Sequence, residues 1–191
     1  MNRVTLLCGS RKPGPGIERP SSARQLLLAV RAGLDDADTA YEQLDLRDLD
    51  IPQFDGRTRA EYRSPDLDRV QEAVEGSDVL VVSAPAYWNS VAGPLVNLFN
   101  VLGGANYDLV PDRVLPLAGK TVILLVVGAD HSSAYHAAAQ LRSTLAAMGA
   151  WVAPRETVIG NPRQVPDFAG VVRDLRGLGT YAATVVPGVP R

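Results

Sequence analysis

The sequence has one cysteine, Cys8, and only two histidines among its 191 residues. A single cysteine excludes an internal disulfide and any metal site built from several cysteines. The two histidines, His131 and His136, are five residues apart, whereas side chains on one face of a helix are three or four residues apart. We therefore predict no bound metal. The apolar neighbours of Cys8 indicate a buried, structural thiol.

Long apolar runs and an excess of charge of one sign are also missing. No stretch approaches the roughly 20 apolar residues that cross a bilayer. The short apolar run after Met1 is not followed by a cleavage-type sequence, so no secretory signal is predicted. The formal net charge of −2 gives no field that would hold nucleic acid or an anionic membrane. We expect a cytoplasmic protein that binds neither.

The composition is that of an ordinary globular protein, with 46% hydrophobic and 21% charged residues. The length suits one domain over residues 1–191. Three short runs, 3–8, 78–83 and 121–127, are strongly apolar, and segments 41–46 and 151–159 are two further strand candidates. Strands that are apolar throughout are typical of a parallel sheet buried on both faces. With helical spacing between them, the five strands predict a doubly wound, three-layer α/β sandwich.

Ligands of such a sheet bind beyond the carboxyl ends of its strands. The first segment at such an end, residues 9–22, leads into a helix that Ser21 and Ser22 are suited to cap. Free backbone N–H groups at a helix start bind anions, and Ser10 and Arg11 add donors that suit a phosphate. A solvent-exposed loop with ordinary helix caps explains this segment equally well.

Two further segments follow strands. In residues 85–93, Tyr87 and Trp88 stand beside Asn89 and Ser90 at a turn that suits a flat heteroaromatic ligand, although a role in the core or in an interface also explains the two aromatic residues. In residues 128–135, His131 follows Gly128 at a strand end. It either lies near such a ligand or is an exposed loop histidine.

These residues stand in a recognisable order. Gly9 and Ser10 follow the first strand, Ser21 opens the first helix, and a P-x-Y-x-x-S-x-x-G-x-L-x-N segment runs from Pro85 to Asn97. Over about residues 3–155 the sequence resembles the NADPH-dependent FMN reductase family. The resemblance implies a flavodoxin-like fold, an FMN cofactor, and transfer of a hydride from NADPH or NADH to the flavin and onward to a small-molecule acceptor such as free flavin or a quinone. It also implies a homodimer or homotetramer.

The resemblance assigns site residues as well. It implies that the FMN phosphate is held by Ser10, Arg11, Ser21 and Ser22. The flavin ring would be lined by Pro85, Ala86, Tyr87, Trp88, Asn89 and Ser90, and flanked by Gly128 and His131. No acid–base residue is expected to be indispensable, because the cofactor supplies the redox chemistry.

The sequence departs from the family pattern in the first loop. Residues 11–20 form a longer loop that is rich in glycine and proline. The family's arginine sits one place later than Arg11, so either Arg11 or Lys12 takes the phosphate role. Three alternative functions stay open: an electron carrier of flavodoxin type, whose usual acidic face this chain lacks; a flavin-binding module without turnover; and an enzyme of the same fold dedicated to one substrate.

Overall fold

The computed structural model describes residues 1–13, 20–105 and 115–186. Most of the loop predicted at residues 11–20 thus lies outside the described residues. The described strands are β1 (Val4–Cys8), β2 (Tyr41–Asp45), β3 (Val79–Tyr87), β4 (Ser90–Val91), β5 (Thr121–Gly128), β6 (Trp151–Val152) and β7 (Thr157–Gly160). The described α-helices are α1 (Ser22–Asp36), α2 (Pro65–Gly76), α3 (Gly93–Gly103), α4 (His131–Ala147) and α5 (Phe168–Thr184).

The strands form one sheet in the order β2, β1, β3, β5, with β6 and β7 both paired to the outer edge of β5. All of these pairs are parallel. The short β4 is the exception, because it folds back antiparallel on the end of β3. The chain adds β2 on one side of β1 and then adds β3 and β5 on the other side. This strand order is that of the flavodoxin-like doubly wound fold. The predicted fold class is confirmed.

The predicted fifth strand, residues 151–159, consists of two pieces. Four residues, 153–156, lie opposite only two on β5, Ile123 and Leu124. Pro154 within this bulge has no N–H to donate to the sheet. Arg142 of α4 donates to the carbonyl oxygens of Val152 and Ala153, at 3.0 Å each, and to the carboxylate of Glu156. These bonds stabilise the bulge from outside the sheet.

Helices cover both faces of the sheet. Helices α2, α3 and α4 pack on one face, and α1 and α5 pack on the other. Three glycines make α5 an uncertain helix by propensity, yet the helix forms. One of these glycines, Gly179, has a packing role, because a Cβ at this position would overlap the carbonyl oxygen of Val30 on α1. In this helix close packing with α1 requires the glycine.

Within the described ranges, no helix is both long enough and apolar enough to cross a membrane.

Candidate functional site

The site begins with the sharp turn after β1. The N–H of Gly9 donates to the carbonyl oxygen of Ser83 at 2.8 Å. A Cβ on Gly9 would lie 2.8 Å from a methyl carbon of Leu95, so the turn passes too close to α3 for a side chain. The next residue, Ser10, is buried, and its Oγ accepts a hydrogen bond from the N–H of Lys12 at 3.2 Å. The turn therefore has a defined shape.

Helix α1 begins directly beside this turn. Its N-cap is Ser21, whose Oγ accepts from the N–H of Arg24 at 3.2 Å. The N–H of Ser21 donates to the carbonyl oxygen of Pro13 at 3.1 Å. The N–H groups of Ser22 and Ala23 have no acceptor among the described residues. Unpaired N–H groups at the positive end of a helix dipole attract an anion.

Arg24 is a buried arginine that the sequence reasoning missed. Its guanidinium makes a bidentate pair with Asp45 at the end of β2, with Nε–Oδ2 at 2.6 Å and Nη2–Oδ1 at 2.8 Å. The hydrogen bonds with this carboxylate raise the pKa of Arg24 above its already high ordinary value. The available signal was a charged residue on the otherwise apolar face of α1, next to Leu26 and Leu27.

The turn between β3 and β4 carries the two aromatic residues singled out in the sequence. Tyr87 is 43% exposed and Trp88 is 98% exposed. Trp88 and Asn89 both have positive φ, 52° and 60°, as a two-residue type I′ hairpin requires. Asparagine adopts this conformation readily, whereas for a tryptophan it costs on the order of 1 kcal/mol. Neither stability nor burial explains a tryptophan at this turn.

The β3–β4 hairpin is anchored on α4. The N–H of Asn89 donates to Ser133 Oγ at 3.3 Å. The hydroxyl of Ser90 and the N–H of Val91 both donate to Gln140 Oε1 at 3.0 Å. The serine of the P-x-Y-x-x-S motif thus fixes the hairpin to the helix.

A cavity of about 380 Å³ opens at the carboxyl ends of β1, β3, β5 and β7. This volume lies in the range of small-molecule and cofactor sites, about 300 to 1,000 Å³. Seven residues predicted from the sequence line it: Ser10, Ser21, Ser22, Pro85, Ala86, Tyr87 and Gly128. The structure therefore brings parts of all three predicted segments to one place.

The other five predicted residues do not line this cavity. Trp88, Asn89 and Ser90 belong to the hairpin just described. Arg11 lines a neighbouring cavity of about 310 Å³ beside the start of α3. His131 is the exposed first residue of α4, where its ring stacks on Tyr135 with the centroids 6.4 Å apart. Asp130 caps α4 by accepting from the N–H of Ser133, so the helix begins at His131.

Of the two basic residues left open by the sequence, Lys12 lines the larger, 380 Å³ cavity. Its Nζ lies 5.6 Å from the centre of the Tyr87 ring, within the distance at which a cation is attracted to an aromatic face.

The sequence reasoning also missed one wall of the cavity. Asn161, Pro162 and Arg163 follow β7 and line the side beyond Gly128. The N–H of Asn161 donates to the carbonyl oxygen of Gly128 at 3.0 Å, and its φ of 44° turns the chain. An Asn-Pro pair after a predicted strand is a turn signal. The signal for this wall was therefore present in the sequence, at the end of the fifth predicted strand.

The charges around the cavity favour an anionic ligand. Lys12 and Arg163 are the charged residues of its described lining, which contains no acidic side chain. In the part of the chain that the structure describes, no group of three or more histidine, cysteine, aspartate or glutamate residues is placed to hold a metal ion.

A second cavity, of about 430 Å³, lies between α2 and α3 and is lined by Thr58, Arg59, Val74 and Leu102 among others. It shares no lining residue with the 380 Å³ cavity, which lies at the carboxyl ends of the strands, where ligands of this fold bind. We therefore place the candidate site in the 380 Å³ cavity.

Comparison with known proteins agrees with this geometry. The sequence profile of the family described as NADPH-dependent FMN reductase matches residues 2–164. No match to this chain was found among the curated proteins.

Solved structures with this fold include three flavin-related proteins. One is RosB with the bound intermediate 8-demethyl-8-formylriboflavin-5'-phosphate, with a TM-score of 0.71, 16% identity, and coverage of 95% of this chain and 78% of RosB. Another is the apo form of the NADH:FMN oxidoreductase EMOB, with a TM-score of 0.69, 19% identity, and coverage of 97% and 91%. The third is FerB, a flavoenzyme NAD(P)H:(acceptor) oxidoreductase from Paracoccus denitrificans, with a TM-score of 0.68, 16% identity, and coverage of 98% and 100%.

Proposed function

Because this chain belongs to the NADPH-dependent FMN reductase family, we propose that its 380 Å³ cavity holds FMN and that electrons pass from NAD(P)H through the flavin to a small second acceptor. The protein is a flavin-dependent oxidoreductase, with FMN as its cofactor and NAD(P)H as its electron donor. One observation carries the placement of the cofactor: a single cavity joins the unpaired N–H groups of α1 to the end of β3.

The α1 end of the cavity suits the FMN phosphate. The N–H groups of Ser22 and Ala23, the hydroxyls of Ser10 and Ser22, and the ammonium of Lys12 are the donors available there. Charge-assisted hydrogen bonds to a phosphate are the strongest contacts that such a set offers, and no carboxylate in the described lining opposes them. The donors present therefore fit the phosphate.

The β3 and β5 ends suit the flavin ring. Pro85, Ala86 and Tyr87 form one wall, and Gly128 and Ala129 form part of the opposite one. When bound, FMN supplies the hydride acceptor and donor of the reaction. The protein holds and orients it, largely through backbone groups. We propose that Tyr87 and the adjacent Trp88 act mainly on the choice of acceptor, since both side chains are exposed at this turn, by 43% and 98%.

The acceptor and the assembly state are part of the same proposal. We expect free flavin, a quinone or a similar electrophile as acceptor, as the resemblance to the family implies. We also expect a homodimer or homotetramer, which sedimentation velocity measures directly.

The first test is the visible spectrum of the purified protein, alone or after addition of FMN, before and after NADPH is added without oxygen. We expect flavin absorption that bleaches with NADPH and returns when a quinone is added. Steady NADPH oxidation with free flavin or quinone distinguishes an enzyme from an electron carrier or a silent binding module. A colourless protein that ignores added FMN contradicts the proposal.

A further inference from the structure

The guanidinium of Arg24 joins three parts of the fold at the candidate phosphate site. Besides its bidentate pair with Asp45, its Nη1 donates to the carbonyl oxygen of Lys12 at 2.6 Å, and its Nη2 donates to that of Ser10 at 3.3 Å. The Arg24 side chain is only 9% exposed and that of Asp45 11% exposed. One buried cation thus ties the first turn of α1 and the end of β2 to residues 10–12.

These contacts set the direction of the turn. The two carbonyl groups bonded to Arg24 belong to the residues on either side of Arg11. In a trans peptide the N–H points opposite to the preceding C=O, so the N–H of Arg11 points away from Arg24. The bond from Ser21 to Pro13 closes the other side of the turn. The backbone between Ser10 and Pro13 is therefore held in one orientation relative to the start of α1.

Arg24 itself is not placed to bind the phosphate. It is absent from the described lining of the cavity, and its charge is balanced by Asp45 at hydrogen-bond distance. Four of its hydrogen-bonding contacts are made within the protein, out of the five N–H donors that a guanidinium carries. Its contribution passes through the residues that it holds.

We propose that Arg24, paired with Asp45, is the positioning residue that holds residues 10–13 beside the start of α1 in a phosphate-binding shape. The inference rests on the proposed FMN site. It makes a specific statement about ligand chemistry: the pair acts on the affinity for the 5′-phosphate of the cofactor and leaves the affinity for the ring unchanged. Riboflavin, which is FMN without the phosphate, separates the two.

The test compares the dissociation constants of FMN and riboflavin, measured by flavin fluorescence, in the wild-type protein and in Arg24→Lys. A lysine keeps the positive charge beside Asp45, but its point-like ammonium cannot span a carboxylate and two carbonyl oxygens. We expect the FMN dissociation constant to rise about tenfold or more, as for the loss of hydrogen bonds to a charged group, and that of riboflavin to change less than about twofold.

Arg31→Lys is the matched control. Arg31 lies on the same helix and donates to Gln43 of the same strand, at 3.3 Å, and among the described residues it makes no hydrogen bond to residues 10–13. The Arg31→Lys variant should bind FMN and riboflavin with the dissociation constants of the wild-type protein. Asp45→Asn, which removes the bidentate partner of Arg24, should reproduce the selective loss of FMN affinity.

Hydrogen exchange on the wild-type protein tests the inference without any substitution. FMN should slow exchange at the amides of Ser22 and Ala23, which line the cavity, more than riboflavin does. Equal slowing by both ligands, or equal weakening of both in Arg24→Lys, would overturn the positioning role while leaving the FMN site intact. A wild-type protein that binds neither ligand would instead overturn the proposed function.

Discussion

Lys12 and Arg11 are adjacent in the sequence but line different cavities. Lys12 lines the cavity assigned to FMN, whereas Arg11 lines the one beside α3. We predict that Lys12→Ala raises the FMN dissociation constant about tenfold, because one charge-assisted hydrogen bond to the phosphate is lost. Arg11→Ala, the matched control with the same change of charge, should alter it less than about twofold. Fluorescence titration with FMN measures both. A larger effect of Arg11→Ala would assign the phosphate to the other cavity.

The sequence predicted those cavity-lining residues whose position follows from their place near a strand end or a helix start. Ser10, Ser21, Pro85 and Gly128 each follow a predicted strand or open a predicted helix, and parallel strands bring their carboxyl ends to one edge of the sheet. Arg24 was missed for a physical reason. Its partner Asp45 is 21 residues away on another element, and an arginine with no visible partner reads as a surface residue.

Helices α1 and α5 approach each other closely because Gly179 has no side chain. We predict that Gly179→Ala lowers the free energy of unfolding by about 1–3 kcal/mol, the usual cost of overpacking, since its Cβ would overlap the carbonyl oxygen of Val30. Gly177 lies on the same helix, and a Cβ there would meet nothing within 4 Å. Gly177→Ala should therefore raise the free energy of unfolding by about 0.5–1 kcal/mol.

Urea denaturation of the two variants measures this contrast. Because both substitutions add one methyl group to one helix, effects of the same sign in both would contradict the packing argument.

Local sequence is sufficient to predict some helices and strands of this fold and not others. The apolar runs predict β1, β3 and β5 because strands buried on both faces carry few polar residues. Helix α5 and the broken edge formed by β6 and β7 depend on contacts from elsewhere. Gly179 suits the helix only because α1 lies against it, and the bulge at 153–156 is bonded by Arg142 of α4. The helix and strand propensities of the local sequence cannot predict either of these contacts.

The stability of the whole molecule should depend on pH through its one cysteine. Cys8 is fully buried, and burial raises the pKa of its thiol to about 11. As the pH rises above about 9, the unfolded chain loses the thiol proton first, so it binds fewer protons than the folded chain. The free energy of unfolding therefore falls between about pH 9 and 11, by up to roughly 2–3 kcal/mol.

Urea denaturation of the wild type and of Cys8→Ala at pH 8 and pH 10.5 checks this effect. The variant lacks the thiol, so its loss of stability between the two pH values should be smaller than that of the wild type. An identical loss in both proteins would show that other groups cause the alkaline effect.

At the scale of the molecule, alternation of strands and helices is enough to predict the doubly wound fold, because few arrangements bury apolar strands on both faces. The family match over residues 2–164 agrees with that prediction. The wall formed by Asn161, Pro162 and Arg163 follows from the topology as well, since β7 ends beside β5 at the same edge of the sheet.

The exposed β3–β4 hairpin also determines what tryptophan fluorescence can report about this protein. Its two tryptophans are Trp88, which is 98% exposed, and Trp151, which is 45% exposed. An indole surrounded by water emits at nearly the same wavelength whether the chain is folded or not, so Trp88 should contribute little to any shift of the emission on unfolding, and the half-buried Trp151 should contribute most of it. The same exposure makes Trp88 an optical reporter: a blue shift or quenching of its emission signals that a subunit, a flavin or an acceptor has come to cover the turn.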